Sequence, residues 1–160
     1  MKNKNHVSTE KKITRITEDI EVTQLAPEIF NCIRRQDNVT NEDIINSLNP
    51  NDNREMAFKA GEGSGKSGSF FFFSHDRGFI IKTMSSGEYD TFMHLFKDYT
   101  QHLMKNKGSL LARIYGVFTV KIEKLAPVHL IMMGNTVKCK YMTSNQLHSH
   151  VERHETKIHV

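Results

Sequence analysis

The spacing of apolar positions changes several times along the chain, and each change predicts a different kind of segment. Residues 1–19 are polar and show no apolar period, which predicts a disordered or loosely attached polar tail. Apolar side chains at Ile29, Phe30 and Ile33 then follow Pro27. This pattern predicts a short helix with proline in its first turn, so the ordered part of the chain is expected to begin after the tail.

A second short helix is predicted immediately after Thr40. The threonine hydroxyl suits an N-cap, Glu42 and Asp43 follow two and three residues later, and this spacing is close to that of a capping box. The turn-forming stretch Asn49–Asp52 is expected to end this helix. Two short helices therefore precede the rest of the domain.

The remainder of the chain alternates between strand-like and helix-like patterns. Three strands are predicted first, at Met56–Lys59, Phe70–Phe73 and Phe79–Met84, and the four phenylalanines are expected to be buried on both faces. A long helix, capped by Ser85–Glu88, is predicted to reach about Lys105 with one apolar face, formed by Phe92, Leu95, Phe96, Tyr99 and Leu103. Two more strands are predicted at Leu111–Ile122 and Val128–Met133. This order predicts an α+β fold, a mostly antiparallel sheet with one long helix on it.

Composition and charge narrow the possible classes of protein. The 160 residues, 38% hydrophobic and 25% charged, predict one globular domain, and the net charge of +4 is not gathered into a basic tract, so nucleic-acid binding is not expected. Cys32 and Cys139 form no disulfide framework and no Cys-x-x-Cys motif. Neither a signal peptide nor a run of about 20 apolar residues is present. The sequence therefore predicts a cytoplasmic protein that visits membranes only at their cytosolic surface.

A glycine-rich segment is the first candidate for chemistry, with Gly63, Gly65, Lys66, Ser67 and Gly68 in the order Gly-x-Gly-x-x-Gly. Glycines let consecutive backbone N–H groups approach a phosphate. A Walker loop is one alternative, but it requires a helix after the serine, whereas aromatic, strand-forming residues follow here. A hairpin that covers ATP phosphates, as in protein kinases, is the second alternative, and an ordinary glycine-rich loop is the third.

Lys82 strengthens the phosphate interpretation because it places one cation within the apolar strand Phe79–Met84. A buried, unpaired ammonium is costly, so an anionic partner is expected. In a kinase lobe the partners are the ATP phosphates and a glutamate of the following helix, for which Glu88 is the candidate. The alternatives are a lysine that reaches water at the strand end and a first-turn glutamate that interacts only with the helix dipole.

Several motifs together resemble those of the phosphatidylinositol phosphate kinases. The stretches Gly65–Phe73 and Phe79–Met84 are similar to the family signature G-K-S-G-S-F-F followed by F-I-I-K-T. Further similar stretches, which extend the resemblance from about Ile20 to Val137, are Ala26–Arg34, Asp98–Leu103, Ser109–Gly116 and Met132–Asn135. The resemblance implies a protein-kinase-like N-lobe over residues 20–137.

The resemblance also implies roles for individual residues. The glycine segment would cover the phosphates of ATP, Lys82 would hold them, Ile80 would pack on the adenine, and Met133 and Asn135 would belong to the hinge segment beside it. The reaction implied is transfer of the ATP γ-phosphate to an inositol-ring hydroxyl of a phosphoinositide at an anionic membrane surface. ATP and Mg²⁺ are the cofactors implied.

The chain departs from the family pattern over residues 138–160, which read as a divergent polar tail. The Y-D-L-K-G-S motif expected after the hinge is not found there, and the ligands of Mg²⁺ are expected in a C-lobe that this sequence lacks. The chain alone is therefore expected to be inactive. A non-catalytic nucleotide-binding or regulatory module, which forms a homodimer or pairs with a full-length kinase, is the alternative. No metal site is predicted, although the tail contains histidines at 148, 150, 154 and 159.

Overall fold

The structure, a computed structural model, describes residues 10–63 and 70–136. These residues form six strands and four helices in the following order: β1 (Lys11–Arg15), β2 (Ile20–Leu25), α1 (Pro27–Gln36), α2 (Asn41–Ser47), α3 (Pro50–Gly63), β3 (Phe71–Phe73), β4 (Phe79–Met84), α4 (Ser86–Lys105), β5 (Ile114–Ile122) and β6 (Val128–Gly134). The predicted α+β fold, a mostly antiparallel sheet with one long helix, is confirmed.

The six strands form one antiparallel sheet in the order β1-β2-β5-β6-β4-β3. Side chains alternate between the two faces along a strand, and directly paired residues share a face. Ile80, Lys82 and their β6 partners Met133 and Ile131 therefore lie on one side, which we call the front face. Ile81 and its partner Met132 lie on the opposite side, the back face.

Helix α4 lies on the front face of the sheet. The Tyr89 ring, in the first turns of α4, stacks on His129 of β6 with ring centroids 4.0 Å apart and an angle of 12° between the planes. Farther along α4, the buried Phe96 contacts Phe30 of α1, with ring centroids 5.7 Å apart. The core of the domain is therefore shared by α4, α1 and the central strands, where Val117 of β5 is completely buried.

Local capping signals place the helix starts where the sequence predicted them. Thr40 and Ser85 are the N-caps of α2 and α4, and each forms a reciprocal capping box, with Asp43 and Glu88 respectively. Helix α1 begins at Pro27, because proline fits the first turn, where a backbone N–H has no helical partner.

Two predicted segments have a different kind of structure, and the strand predicted from Leu111 begins only at Ile114, as β5. Met56–Lys59, predicted as a strand, belongs to helix α3, because Pro50 suits a helix start and Glu55, Met56 and Ala57 have high helix propensity. Within the polar segment 1–19, which was predicted to be loosely attached, Lys11–Arg15 form β1 and pair with β2. All five β1 residues are exposed. Backbone hydrogen bonds to β2 hold this edge strand, and because none of its side chains is buried, its sequence shows no apolar period.

Burial also differs from the expectation at three apolar side chains. Leu95 of α4 is exposed, because at 100° per residue it lies at the edge of the stripe formed by Phe92, Phe96, Tyr99 and Leu103. Phe71 and Phe73 of the edge strand β3 are 43% and 38% exposed, whereas Phe72 is buried, so only one face of β3 is covered.

The domain limits predicted after residues 19 and 137 stay predictions, and the tail histidines lie outside the described residues.

Candidate nucleotide site on the front face

Lys82 is placed near the middle of the sheet by the register of β4. Its neighbours across the strands are Phe71 of β3 and Ile131 of β6, and the side chains of all three point to the front face. The Lys82 side chain is 34% exposed. An ammonium at this position is surrounded by apolar groups on its own face but can be reached from solvent.

Glu88, in the first turn of α4, is the ion-pair partner of Lys82. The Lys82 ammonium Nζ donates a hydrogen bond to Glu88 Oε1 over 2.8 Å. The other carboxylate oxygen, Oε2, accepts a hydrogen bond from the Ser85 backbone N–H at 2.8 Å, and the Glu88 N–H donates to Ser85 Oγ at 3.3 Å. From the sequence, the alternative to pairing with Lys82 was a first-turn glutamate that interacts only with the helix dipole. In the structure Glu88 pairs with Lys82, and the same carboxylate also completes the capping box.

These contacts also change the acidity of Glu88. The hydrogen bond from the Lys82 ammonium, followed by those from Ser85, lowers the pKa of the Glu88 carboxyl to about 2. The carboxylate is therefore ionised throughout the physiological range. Because the pair is exposed, solvent screens its attraction, and its main effect is to fix the direction of the ammonium.

An apolar row lies directly beside Lys82 on the front face. Phe73, Ile80 and Met133 are successive partners across β3, β4 and β6, and form this row. Phe71 and Phe73 contact each other edge to face, with ring centroids 5.1 Å apart. A partly exposed apolar surface next to a fixed cation suits a ligand with a flat ring and an anionic group.

Asn135 lies at the end of β6, where its contacts join that end to the turn between β3 and β4. Its backbone N–H donates to the Gly78 carbonyl at 3.0 Å, and its side-chain Nδ2 donates to the Arg77 carbonyl at 2.9 Å. Of the residues singled out in the sequence, the structure thus brings Lys82, Glu88 and the Ile80–Met133 pair together, and it places Asn135 at the strand end beyond them.

The glycine segment is described only at its first member. Gly63 is the last residue of α3, whereas Gly65, Lys66, Ser67 and Gly68 lie outside the described residues. The described elements on either side of the segment are a helix, α3, and a strand, β3. A Walker loop would require the reverse order, with a strand before the loop and a helix directly after it. The element before the segment also differs from the strand expected for a kinase-like hairpin.

Sequence reasoning missed the aromatic stack that holds the first turns of α4. Tyr89 follows Glu88 directly, and His129, on which its ring stacks, has its Nδ1 3.0 Å from Thr119 Oγ1 of β5. The imidazole is therefore supported from the neighbouring strand. Only the alternation of β6, which puts His129 on the same face as Ile131, offered a signal in the sequence.

Known proteins are similar to this chain over a stretch that includes the residues of the front-face site. The family model of phosphatidylinositol-4-phosphate 5-kinases matches residues 53–155. A probable phosphatidylinositol phosphate kinase of Dictyostelium discoideum is 35% identical over 132 residues, which cover 82% of this chain. The chain belongs to the phosphatidylinositol-4-phosphate 5-kinase family. A phosphatidylinositol 4-phosphate 5-kinase of Schizosaccharomyces pombe is 31% identical over 117 residues, 73% of the chain.

Membership of the kinase family rests on a limited part of each relative. The chain spans 17% of the Dictyostelium relative and 15% of the Schizosaccharomyces one. It spans 30% of a human phosphatidylinositol 4-phosphate 5-kinase-like protein, to which it is 31% identical over 121 residues, 76% of this chain. The family match includes every residue of the front-face site and continues past Val137, where the resemblance in motifs ends.

None of the described helices is long and apolar enough to cross a membrane.

Proposed function

We propose that this chain is the ATP-binding lobe of a phosphatidylinositol phosphate kinase. The observation that carries the proposal is the Lys82–Glu88 ion pair, 2.8 Å long, beside the apolar row of Phe73, Ile80 and Met133. Kinase lobes bind ATP with a strand lysine that is oriented by a glutamate of the following helix. The family to which the chain belongs supports the same assignment.

Each residue of the front-face site has a role in this proposal. Lys82 binds the phosphates, and Glu88 directs its ammonium toward them. Ile80 and Met133 pack against the adenine, and Met133 with Asn135 forms the hinge segment at its edge. Backbone N–H groups of the glycine segment cover the phosphates; its members are Gly63, Gly65, Lys66, Ser67 and Gly68.

The proposed reaction is transfer of the ATP γ-phosphate to a ring hydroxyl of a phosphoinositide at an anionic membrane surface. In such reactions, bound Mg²⁺ neutralises the negative charge of the phosphates. We place the carboxylates that hold Mg²⁺, and the groups that orient the hydroxyl, in a second lobe. This chain then contributes nucleotide binding, and turnover requires both lobes. The name of the Schizosaccharomyces relative, a phosphatidylinositol 4-phosphate 5-kinase, supports this class of substrate.

A calorimetric titration of the 160-residue chain with MgATP tests the assignment of Lys82. Replacement of Lys82 by methionine removes a charged hydrogen-bond donor, worth about 1.5–3 kcal/mol, so the affinity for ATP is expected to fall about tenfold or more. Lys97→Met, on the exposed side of α4, is the matched control and is expected to bind like the wild type. Equal affinity of Lys82→Met and the wild type would refute the role of Lys82.

A non-catalytic module that pairs with another kinase chain is the second candidate. Exposed apolar side chains favour it: Phe71 and Phe73 beside the site, and Leu110, which is 99% exposed in the loop after α4. Light scattering after size exclusion, on the chain alone and mixed with a full-length kinase of the family, separates the candidates. A stable complex that changes the activity of the full-length kinase would favour the regulatory module. A monomer with no effect would favour the simple ATP-binding lobe.

A further inference from the structure

A separate cavity of about 520 Å³ lies on the back face, on the other side of the sheet from Lys82. Its floor includes Ile81, Met132, Leu130 and Phe118, which register places on the back face. Helices α1 and α2 form the opposite wall. A volume between about 300 and 1,000 Å³ with a mostly apolar floor is typical of small-molecule sites.

Gly116 of β5 shapes this floor. A Cβ atom at this position would lie 2.7 Å from the Phe118 ring and 3.5 Å from Met132 Cε. The Phe118 ring therefore occupies the space above the glycine, and any larger residue would displace it. The apolar floor depends on the absence of a side chain at this strand position.

Arg34 of α1 is the buried charged residue of the cavity lining, which also includes the uncharged polar residues Gln24, Asn31 and Asn41. The residue is only 8% exposed, and its Nη1 donates to the Tyr115 carbonyl at 2.7 Å. Its Nε has no hydrogen-bond partner among the described residues, although it is buried. Burial lowers the pKa of the guanidinium, and the charge of Glu28 opposes this effect only in part. Because Arg34 also lines the cavity, an anion bound there can pair with this buried charge, and a buried charge is costly unless it is paired.

We propose that the cavity binds a small amphipathic carboxylate, with the carboxylate on Arg34 and the apolar body on the floor around Phe118. Lys12 and Glu28, which also line the cavity, carry opposite charges, so Arg34 leaves a single positive charge to be matched. A monocarboxylate supplies one negative charge and a planar pair of acceptors that suits the guanidinium. The proposal does not depend on nucleotide binding, because the two sites lie on opposite faces.

Decanoate, kept below its aggregation concentration, is the probe for this site. Calorimetry and the methyl NMR signals of Ile44, Ile81 and Leu130 follow its titration into the full 160-residue chain. Saturable binding of one decanoate is expected, with shifts confined to methyl groups of the cavity lining. Decanol, which has the same chain but no charge, is expected to bind at least about tenfold more weakly, since a hydrogen bond to a charged group contributes about 1.5–3 kcal/mol.

Two pairs of variants make the test specific. Arg34→Met is expected to weaken decanoate binding about tenfold or more, whereas Arg35→Met, on the exposed side of α1, leaves it unchanged. Arg34→Met also removes the hydrogen bond from Arg34 to the Tyr115 carbonyl. A second pair of variants leaves this hydrogen bond intact. Ile44→Phe fills the cavity and is expected to abolish binding, whereas Ile45→Phe, at a position that is 69% exposed, does not.

Several results would overturn the proposal. These are equal binding of decanoate and decanol, binding that survives Ile44→Phe, and the absence of saturable binding. Binding of inorganic phosphate at Arg34 with no decanoate binding would assign the site to a different ligand and would equally overturn it. A MgATP titration of Ile44→Phe is expected to match the wild type, so failure of the front-face proposal would be seen separately.

Discussion

Glu88 shows how a single residue can serve both local structure and the candidate site. One carboxylate oxygen completes the capping box with Ser85, and the other accepts a hydrogen bond from Lys82. The sequence could predict both partners because Ser85 and Lys82 lie three and six residues away. It could not predict that both contacts form together, since that depends on the direction in which α4 leaves β4.

The depressed pKa of Glu88 predicts a specific dependence of stability on pH. The pKa of Glu88 is about 2 in the folded state and about 4.3 in the unfolded state. The ion pair therefore stabilises the fold fully at pH values above about 4.3. This contribution is lost as the pH falls through about 2. Glutamine retains the capping geometry, so Glu88→Gln is expected to show a smaller loss of unfolding free energy between pH 5 and pH 2.

Urea unfolding at a series of pH values measures this difference. Glu42→Gln, at an exposed first-turn position of α2, is the matched control and is expected to follow the wild type more closely. A carboxyl NMR titration of Glu88 gives the pKa directly, and replacement of Lys82 by methionine is expected to raise it. An ordinary pKa for Glu88 in the wild type would contradict the ion pair.

At the scale of whole elements, the sequence predicted those with strong local signals. The strand Phe79–Met84 has the predicted bounds because it is a short apolar run between turn-forming residues. The helix after Ser85 ends at Lys105 as predicted, because a capping box and an apolar stripe define it. Elements without such signals were missed. The exposed edge strand β1 is specified by its pairing with β2, a contact that composition does not reveal.

The end of β6 illustrates a glycine whose requirement comes from packing. A Cβ atom on Gly134 would lie 2.8 Å from the Tyr115 ring, which is 6% exposed and anchored by a hydrogen bond from its hydroxyl to Asp37 at 3.2 Å. Because this ring cannot move aside easily, Gly134→Ala is expected to lower the free energy of unfolding by about 1–3 kcal/mol.

Urea denaturation checks this cost against a second glycine. Gly87 lies in the first turn of α4, and nothing lies within 4 Å of a Cβ built there. Gly87→Ala is therefore expected to leave stability unchanged or to raise it by up to about 1 kcal/mol. Equal effects of the two substitutions would contradict the packing argument at Gly134.

At the scale of the whole molecule, one sheet separates two candidate sites. Adjacent residues of β4, Ile80 and Ile81, serve the front-face row and the back-face cavity respectively. The front site could be predicted from sequence because Lys82 and Glu88 are close along the chain. The back cavity could not, since it depends on the contact between Arg34 and Tyr115, which are 81 residues apart.

A buried polar network connects the helical segment before the glycines with the strands after them. The Asn53 side chain of α3, which is 5% exposed, donates from Nδ2 to the Ser47 carbonyl at 2.9 Å and accepts from the His75 N–H at 2.7 Å. In the same region Asp76 accepts hydrogen bonds from the hydroxyls of Ser47 and Ser74. The network therefore fixes α3 relative to the turn between β3 and β4.

Asn53→Ala tests whether this connection supports the nucleotide site as well as the fold. Loss of the acceptor leaves the His75 N–H without its partner, so the free energy of unfolding is expected to fall by about 1–3 kcal/mol. Faster amide hydrogen exchange in β3 and weaker MgATP binding are expected together, because α3 and β3 bracket the glycine segment. Asn51→Ala, at an exposed position two residues away, should leave the free energy of unfolding, hydrogen exchange in β3 and MgATP affinity unchanged. If Asn53→Ala lowers stability but leaves both exchange and ATP affinity unchanged, the network supports the fold alone.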